Sequence, residues 1–179
     1  RKSELIPLQK AAPPFGGLAA SGWGDASCVF ASPGPIFEPE GRKTDYWRFA
    51  RSLFAAGFRG RDLVHNCFSY HFTPAGSMIE NGATALGCTV FPGGVGQTEQ
   101  QVQVMAALEP DGYAGTPSFL KIILDRAESM GVRLRRLRKA LCAGEAFPAM
   151  LRDEFIARGV DGYQSYGTAD IGTIAYETS

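Results

Sequence analysis

The chain has 179 residues, and its 45% hydrophobic content is enough to fill the core of one sizeable domain. Lysines plus arginines equal aspartates plus glutamates, at 18 each, so no global charge favours nucleic acid or an anionic membrane surface. No apolar stretch reaches the length of a membrane span, and the first residues do not resemble a signal peptide. We therefore expect a cytoplasmic protein with neither nucleic acid nor membrane as a partner.

The four cysteines are widely spaced and form no CxxC pair. Their apolar, strand-like surroundings are typical of buried free thiols in a reducing compartment. His65, Cys67 and His71 are close enough in sequence to suggest a structural metal site, although His71 lies beyond a turn and no fourth ligand is near. A structural metal site at these residues is therefore the weakest hypothesis for the function of the chain.

Residues 1–41 are rich in proline and glycine, which interrupt helices and strands. This composition predicts a loop-rich segment with at most a short strand at residues 27–31. We place the boundary of this segment after residue 43, with an α/β domain at residues 44–179.

From residue 44 onward, predicted helices and strands alternate. A first helix starts at Thr44 or Asp45 and ends at Gly57. A capping box predicts that another helix opens at Thr98. Strands are predicted at 62–68, 88–91, 112–115, 140–143 and 160–166, and further helices at 75–86, 98–108, 117–130 and 148–158. The alternation implies right-handed crossovers and a mostly parallel sheet with flanking helices, which is an α/β fold.

Residues 161–170 run from the last predicted strand into the residues directly after it, at the place where open α/β sheets present ligand groups. An adenine could lie against the backbone of Tyr166 and Gly167, while Thr168 donates to a phosphate. Asp170 could hold a hard cation such as Mg²⁺. The alternative is a tight turn that closes a buried strand.

Three further segments follow predicted strands. Residues 69–76 bring aromatic rings that either wall an apolar ligand or fill the core. Residues 143–148 can offer backbone groups to a purine and hold Glu145 toward the same crevice, or simply form a turn. Residues 93–96 could cradle a phosphate, although a glycine-rich turn of this size is common in plain strand-to-helix connections.

One basic run, residues 133–139, has leucines at positions 134 and 137 and no interleaved aromatics. We interpret it as a helix-to-strand connection with solvated charge rather than a nucleic-acid surface.

Taken in order, these segments resemble the N-terminal domain of the phenylacetate-CoA ligase group within the adenylate-forming ligases. This family joins a carboxylic acid to AMP, releases pyrophosphate, and transfers the acyl group to the thiol of coenzyme A. The resemblance covers the chain from about residue 1 to its end. It rests on Tyr46-Trp47 with residues 55–57, and on residues 69–76, 94–100, 115–118, 143–145 and 166–170.

The resemblance implies roles for particular residues. The nucleotide would be bordered by Ala143, Gly144, Glu145, Tyr166, Gly167 and Thr168, with Thr168 at the phosphate. Asp170 stands where the family usually has a Mg²⁺-binding glutamate, and Thr168 and Asp170 are the implied catalytic residues. The acyl pocket would be bordered by Tyr70, Phe72, Thr73, Pro74 and Gly76. The implied ligands are ATP or AMP, Mg²⁺, coenzyme A and a small carboxylic acid, and a homodimer is a further expected partner.

The sequence departs from the family pattern in two ways. Where the family has a phosphate loop that ends in lysine, residues 31–41 contain prolines and the carboxylates of Glu38 and Glu40. A carboxylate 4 Å from a phosphate oxygen costs about 4 kcal/mol at an effective dielectric of 20, so triphosphate binding should be poor unless both glutamates point away. In addition, nothing matches the family's later ribose-binding aspartate, hinge or catalytic lysine.

The sequence thus predicts an AMP-forming acid-CoA ligase that favours an aromatic acid such as phenylacetate, present as an incomplete and inactive portion of its N-terminal domain. The alternative is a noncatalytic module that binds nucleotide or acyl-adenylate and has lost the ATP phosphate loop.

Overall fold

The computed structural model describes residues 2–20, 22–32 and 36–178. In chain order the elements are α1 (Lys2–Ala11), β1 (Ala26–Ser32), β2 (Ile36–Gly41), α2 (Phe49–Ala55), β3 (Leu63–Asn66), α3 (Ala75–Ala85), β4 (Thr89–Pro92), α4 (Thr98–Leu108), β5 (Gly112–Gly115), α5 (Pro117–Ser129), β6 (Lys139–Cys142), α6 (Ala149–Ala157), β7 (Asp161–Thr168) and β8 (Gly172–Tyr176). Within those residues, no helix is both long enough and apolar enough to cross a membrane.

The main sheet has the strand order β4-β3-β5-β6-β7-β8. Its first five strands are parallel, and β8 pairs antiparallel with β7. The predicted α/β fold with a mostly parallel sheet is therefore confirmed. In a parallel sheet all strands end at one edge, so the segments after β3, β5 and β6 lie beside the end of β7.

Helices cover both faces of this sheet. Neighbouring residues of β5 point to opposite faces, and both are fully buried: Tyr113 packs with Ile123 of α5 and Phe155 of α6, whereas Ala114 packs with Leu53 of α2. Burial on both faces explains why the central strands are continuous apolar runs rather than alternating ones.

The expectation of a loop-rich segment at residues 1–41 is wrong, because helix α1 and the antiparallel β1-β2 hairpin occupy much of it. The Gln9 side chain holds the two together, donating to the Phe37 carbonyl at 2.8 Å and accepting from the Phe37 N–H at 2.9 Å. Among the described residues β2 pairs only with β1, so Pro39 lies on a strand with a free edge, which is where proline is found in sheets. The boundary after residue 43 stays a prediction.

The predicted start of the first helix is wrong. Helix α2 begins at Phe49 because Arg48, at φ 62°, is left-handed, although Asp45 still accepts a hydrogen bond from the Ala50 N–H. Helix α4 begins at Thr98 as predicted, but its N-cap is left-handed Gln97, whose side chain makes no cap hydrogen bond, so the predicted capping box is wrong. The Thr116 cap of α5 is confirmed, since its hydroxyl accepts from the Phe119 N–H at 3.3 Å.

Strand β8 was not predicted. The thiol prediction holds for three of the four cysteines: Cys67, Cys88 and Cys142 are buried and free, whereas Cys28 is free but exposed.

Candidate functional site

A cavity of about 510 Å³ opens at the carboxyl edge of the sheet. Three of the segments singled out in the sequence meet there: residues 73–75 at the start of helix α3, residues 143–145 after β6, and residues 164–169 at the end of β7. Its lining comprises Ser32, Phe49, Phe68, Thr73, Pro74, Ala75, Met78, Ile79, Ala143, Gly144, Glu145, Gln164, Ser165, Tyr166, Gly167, Thr168 and Ala169. This size is within the range of pockets that hold drug-sized ligands.

The cavity brings together eight of the predicted site residues: Thr73, Pro74, Ala143, Gly144, Glu145, Tyr166, Gly167 and Thr168. It does not include Tyr70, Phe72, Gly76 or Asp170 in its lining. The predicted nucleotide residues therefore share one wall, whereas the predicted acyl residues divide between the cavity and its surroundings.

The turn after β6 is fixed by Glu145. Its Oε1 atom accepts a hydrogen bond of 2.8 Å from the Ser118 N–H in the first turn of helix α5. Hydrogen bonding to Ser118 lowers the pKa of the Glu145 carboxyl, against the opposing effect of its partial burial. The Gln164 side chain donates to the Glu145 carbonyl at 3.2 Å and so ties the turn to β7. Gly144 permits the turn because its φ is +86°.

Residues 166–168 belong to β7 and do not follow it as a loop. Tyr166 is 60% exposed, so its ring is available to a ligand. Gly167 leaves no room for a side chain, since a Cβ there would lie 2.8 Å from the Gly172 carbonyl oxygen. The Thr168 hydroxyl oxygen accepts from the Ile171 N–H at 3.3 Å, which leaves its own proton free to donate.

The segment after β3 is held by internal contacts. Asn66 donates to the Tyr70 hydroxyl at 2.8 Å and to the Gly76 carbonyl at 2.9 Å. Burial raises the pKa of the Tyr70 phenol, so this ring stays neutral. A Cβ on Gly76 would lie 2.8 Å from the Ser69 carbonyl oxygen. Phe72, by contrast, is 81% exposed and has φ +60°.

Asp170 lies in a neighbouring cavity of about 560 Å³ that shares Ala169 with the first. Its carboxylate is 3.2 Å from Nζ of Lys2, which also lies 3.4 Å from a carboxylate oxygen of Glu38. Across residues 2–20, 22–32 and 36–178, no three histidine, cysteine, aspartate or glutamate side chains cluster as a metal site would require.

His65 and Cys67, considered above as metal ligands, are buried and both approach the Gln101 side chain. The Nε2 atom of His65 lies 2.6 Å from the Gln101 Oε1 atom. The Gln101 amide also donates to the carbonyls of Gly93 and Gly94, so it shapes the glycine-rich turn before helix α4.

The two glutamates of the altered phosphate loop point into the protein. Glu38 accepts from the Ser32 hydroxyl at 2.7 Å. Glu40 accepts from the Trp47 indole and from the Ser77 hydroxyl, each at 2.6 Å. Both glutamates are buried within strand β2. Glu40 faces Trp47 and Ser77, whereas Glu38 lines the cavity that holds Asp170, so the effect of this pair on a phosphate stays a prediction.

Some lining residues were not singled out as site residues. Phe68, Gln164 and Ser165 directly precede segments that were, so adjacency was a usable signal. Met78 and Ile79 are on helix α3, one to two turns after Pro74, and helix periodicity could have found them. Ser32 and Phe49 carried no signal, because their positions depend on a hairpin and a helix start that the sequence did not predict.

Solved structures with the same fold identify the class of protein. The crystal structure of an open conformation of 2-hydroxyisobutyryl-CoA ligase, in complex with 2-HIB-AMP and CoA, superposes with a TM-score of 0.89 over 99% of this chain and 41% of that one, at 24% identity. The anthranilate CoA ligase bound to anthranoyl-AMP gives a TM-score of 0.71 over 93% of this chain and 34% of that one, at 22% identity. The fold is that of the adenylate-forming CoA ligases.

The sequence comparison is more specific. The phenylacetate-coenzyme A ligase of Aromatoleum evansii is 35% identical over 125 residues, and that of Escherichia coli K12 is 32% identical over 126. Each match covers 68% of this chain, but only 28% and 29% of the respective ligases. No family profile matches the chain. The chain is phenylacetate-CoA ligase-like, which confirms the resemblance predicted from its sequence.

Proposed function

We propose that the chain forms the acyl-adenylate pocket of an AMP-forming acid-CoA ligase. The observation that carries this proposal is the 510 Å³ cavity in which the Glu145 turn, the Tyr166–Thr168 end of β7 and the Thr73–Pro74 turn meet. The reaction would join a carboxylate to the α-phosphate of ATP, release pyrophosphate, and then transfer the acyl group to the thiol of coenzyme A. Catalysis of this kind depends mainly on positioning and on neutralising charge.

In this proposal the nucleotide occupies the β6-β7 side of the cavity. Ala143, Gly144 and Glu145 border the adenine, held in place by the hydrogen bonds of Glu145 with Ser118 and Gln164. The exposed ring of Tyr166 and the bare backbone of Gly167 flank it, and the free hydroxyl proton of Thr168 donates to the phosphate.

The acid lies on the opposite side, against Thr73 and Pro74. Apolar side chains of Phe49, Phe68 and Ile79 complete that side, which suits an aromatic acid such as phenylacetate. Tyr70 and Gly76 act indirectly, by holding the backbone of the turn through Asn66. Exposed Phe72 could reach the acid only if the turn closed over it.

Asp170 is proposed as the Mg²⁺ ligand. Magnesium is commonly held by one or two carboxylates together with substrate phosphates, so a single carboxylate fits if the nucleotide supplies the other oxygens. The ion would neutralise phosphate charge. The chain's own contribution is a carboxylate that Lys2 pairs with in the structure.

A second candidate is a noncatalytic module that binds AMP or acyl-adenylate. It is favoured by one observation: residues 36–41, in the segment where the family has its phosphate loop, form a strand whose Glu38 and Glu40 are anchored in the protein interior, while residues 33–35 of that segment lie outside the described residues. A strand whose polar groups are already hydrogen bonded offers few donors to a triphosphate.

Calorimetric titration with AMP and with phenylacetyl-sulfamoyl-adenosine, a stable adenylate analogue, tests the pocket. Thr168→Val keeps the side-chain shape but removes the hydroxyl, and should weaken binding of both ligands about tenfold, equivalent to about 1.4 kcal/mol. Thr89→Val, on exposed strand β4, is the matched control and should change nothing. Absence of binding to the unmodified chain would refute the proposal.

Pyrophosphate exchange into ATP, assayed on the gene product at its natural length with a panel of aryl and alkyl acids, separates the two candidates. Exchange with phenylacetate supports the ligase. Tight AMP binding without exchange for any acid supports the noncatalytic module. Asp170→Asn should lower exchange more than AMP affinity, and an equal loss of both would argue against a magnesium role.

A further inference from the structure

A second concave region lies at the opposite, amino edge of the sheet. The connection between α5 and β6 meets the turn between α6 and β7 there, and two adjoining cavities of about 700 and 570 Å³ share Arg133, Leu134, Leu137 and Arg158. Because strands β6 and β7 begin at this edge, the region is separated from the adenylate cavity by the length of the sheet.

The floor of this region is apolar. Ala127, Leu137 and Val160 are buried side chains that belong to the core on that face of the sheet, and they also line the larger cavity. Partly buried Leu134 lies at the junction of the two cavities. A ligand in this region would therefore contact hydrocarbon on its inner side.

The rim is cationic, and much of its charge is not neutralised. Arg133, Arg135 and Arg138 line the smaller cavity, and within residues 2–20, 22–32 and 36–178 none of them has a carboxylate partner. Arg158 is different, since it pairs with Asp125 at 2.7 Å and with a second carboxylate on α6 at 3.0 Å. Glu128 lines the larger cavity, 3.8 Å from Arg158, and the smaller cavity has no acidic residue among its described lining.

The same connection carries two further cations, but these are paired outside the cavities. Arg136 lies 2.5 Å from the Asp111 carboxylate, and Lys139 lies 2.8 Å from that of Asp62. These ion pairs fix the connection to the sheet on one side. Three unpaired guanidinium groups are thereby presented on the other side, around an apolar floor.

We propose that this region binds an organic polyphosphate: an anion with at least two phosphate groups on an apolar body, of the nucleoside diphosphate type. Guanidinium groups match phosphate oxygens in bidentate geometry. A fatty acid would supply only one negative charge to three free arginines. A nucleic acid would need an extended cationic surface, whereas Arg133, Arg135 and Arg138 lie together on the rim of the smaller cavity.

Calorimetry with ADP as the probe tests this site. The triple variant Arg133→Gln, Arg135→Gln, Arg138→Gln should lose one equivalent of bound ADP, or at least tenfold in the affinity of that equivalent. Arg136→Gln is the matched control, because it removes a charge from the same connection but not from the cavity rim. It should leave the titration unchanged.

Two further probes sharpen the assignment. Inorganic tripolyphosphate, which has charge but no apolar body, should bind at least tenfold more weakly than ADP, and Leu134→Asn should weaken ADP but not tripolyphosphate. Equal ADP binding by the unmodified chain and the triple variant would overturn the proposal. So would an equal loss in Arg136→Gln, or tighter binding of a single-stranded oligonucleotide than of ADP. The comparisons between each variant and the unmodified chain do not depend on the adenylate cavity, because every variant lies at the other edge of the sheet.

Discussion

The carboxylate of Glu145 accepts a hydrogen bond from the backbone N–H of Ser118, at 2.8 Å, and thereby joins the turn after β6 to the first turn of helix α5. An anion at this position satisfies a helix donor that no backbone carbonyl can reach, and it interacts favourably with the helix dipole. One side chain thus both caps a helix and borders the cavity.

Removal of this cap should affect stability and binding together. We expect Glu145→Ala to lower the free energy of unfolding by about 0.5–1 kcal/mol and to weaken AMP binding, since the Gly144–Glu145 turn is released. Glu145→Gln keeps an acceptor and should lose less of both. Chemical denaturation and AMP titration measure the two effects, and Asp153→Ala, on the exposed side of α6, is the control.

This contribution also depends on pH. Hydrogen bonding to Ser118 lowers the pKa of Glu145 from its usual 4.5 in the folded chain, so its stabilising effect is complete above that value and is lost as the pH falls through the lowered one. The difference in stability between the unmodified chain and Glu145→Ala should therefore shrink in acid, toward the difference between Glu145→Gln and Glu145→Ala. A difference that did not change as the pH fell would contradict a contribution from the charge of this cap.

Gly167 is the position on the cavity wall where added bulk is least tolerated. A Cβ would lie 2.8 Å from the Gly172 carbonyl oxygen and 2.9 Å from the Phe49 ring, and the backbone carbonyl cannot move without breaking the β7-β8 pairing. We expect Gly167→Ala to cost about 1–3 kcal/mol and to abolish AMP binding. Gly22→Ala, where no atom lies within 4 Å, should be neutral in both thermal unfolding and titration.

A loss of AMP binding with unchanged stability would mean that the ligand, and not the protein interior, occupies the space next to Gly167. Unchanged binding would show that this part of β7 does not border the nucleotide.

The strands of the main sheet could be predicted from the sequence because each central strand is a short apolar run between a glycine or proline turn and an amphipathic helix. Segments such as residues 112–130, with a strand, a capping threonine and a proline at the helix start, carry all of their information locally. For the same reason the residues after the strands could be placed at one edge, and eight of the predicted site residues line one cavity.

What the sequence did not reveal depends on distant contacts. The β1-β2 hairpin forms because Gln9, Ser77 and Trp47, up to 37 residues away, satisfy its buried polar groups. No local pattern encodes such partners, and the local proline content predicts a loop instead of a strand. The resemblance implies a Mg²⁺ role for Asp170 but not its contact with Lys2, which depends on the turn into β8.

His65 should make the fold sensitive to mild acid. Burial lowers its pKa below the usual 6.5, and the hydrogen bond with Gln101 opposes this shift. The unfolded chain therefore takes up a proton below about pH 6.5 that the folded chain does not. The contribution of neutral His65 to the free energy of unfolding is therefore fully present above that pH. It should decrease as the pH falls to 5, by at most about 1.4 kcal/mol per pH unit.

Urea denaturation between pH 5 and 7 measures this slope. His65→Gln should flatten it, even if the variant is less stable overall. An identical slope in the His65 variant would assign the acid sensitivity to another group. The carboxylates Asp111 and Asp125 titrate in a lower range, since their pKa values are lowered, and they do not contribute in this window.

The buried carboxylate of Glu40 holds the hairpin to the rest of the chain. It accepts from the Trp47 indole at 2.6 Å, the Ser77 hydroxyl at 2.6 Å and the Ser27 hydroxyl at 3.0 Å. Glu40→Gln replaces one acceptor oxygen by a donor that faces other donors. We expect a loss of about 1–3 kcal/mol in the free energy of unfolding, because at least one buried donor is left without an acceptor. Denaturation measures this loss, and Glu109→Gln, at the exposed end of α4, should change stability by less than about 0.5 kcal/mol.

The same variant separates two interpretations of the altered phosphate loop. If negative charge at Glu40 repels a triphosphate, Glu40→Gln should tighten ATP binding while AMP binding stays the same. Since the carboxylate faces Trp47 and Ser77 rather than the cavity, we expect no gain in ATP affinity, and any change should be a parallel loss for ATP and AMP as the hairpin loosens. A selective gain for ATP in calorimetry would show that the glutamate reaches the phosphates after all.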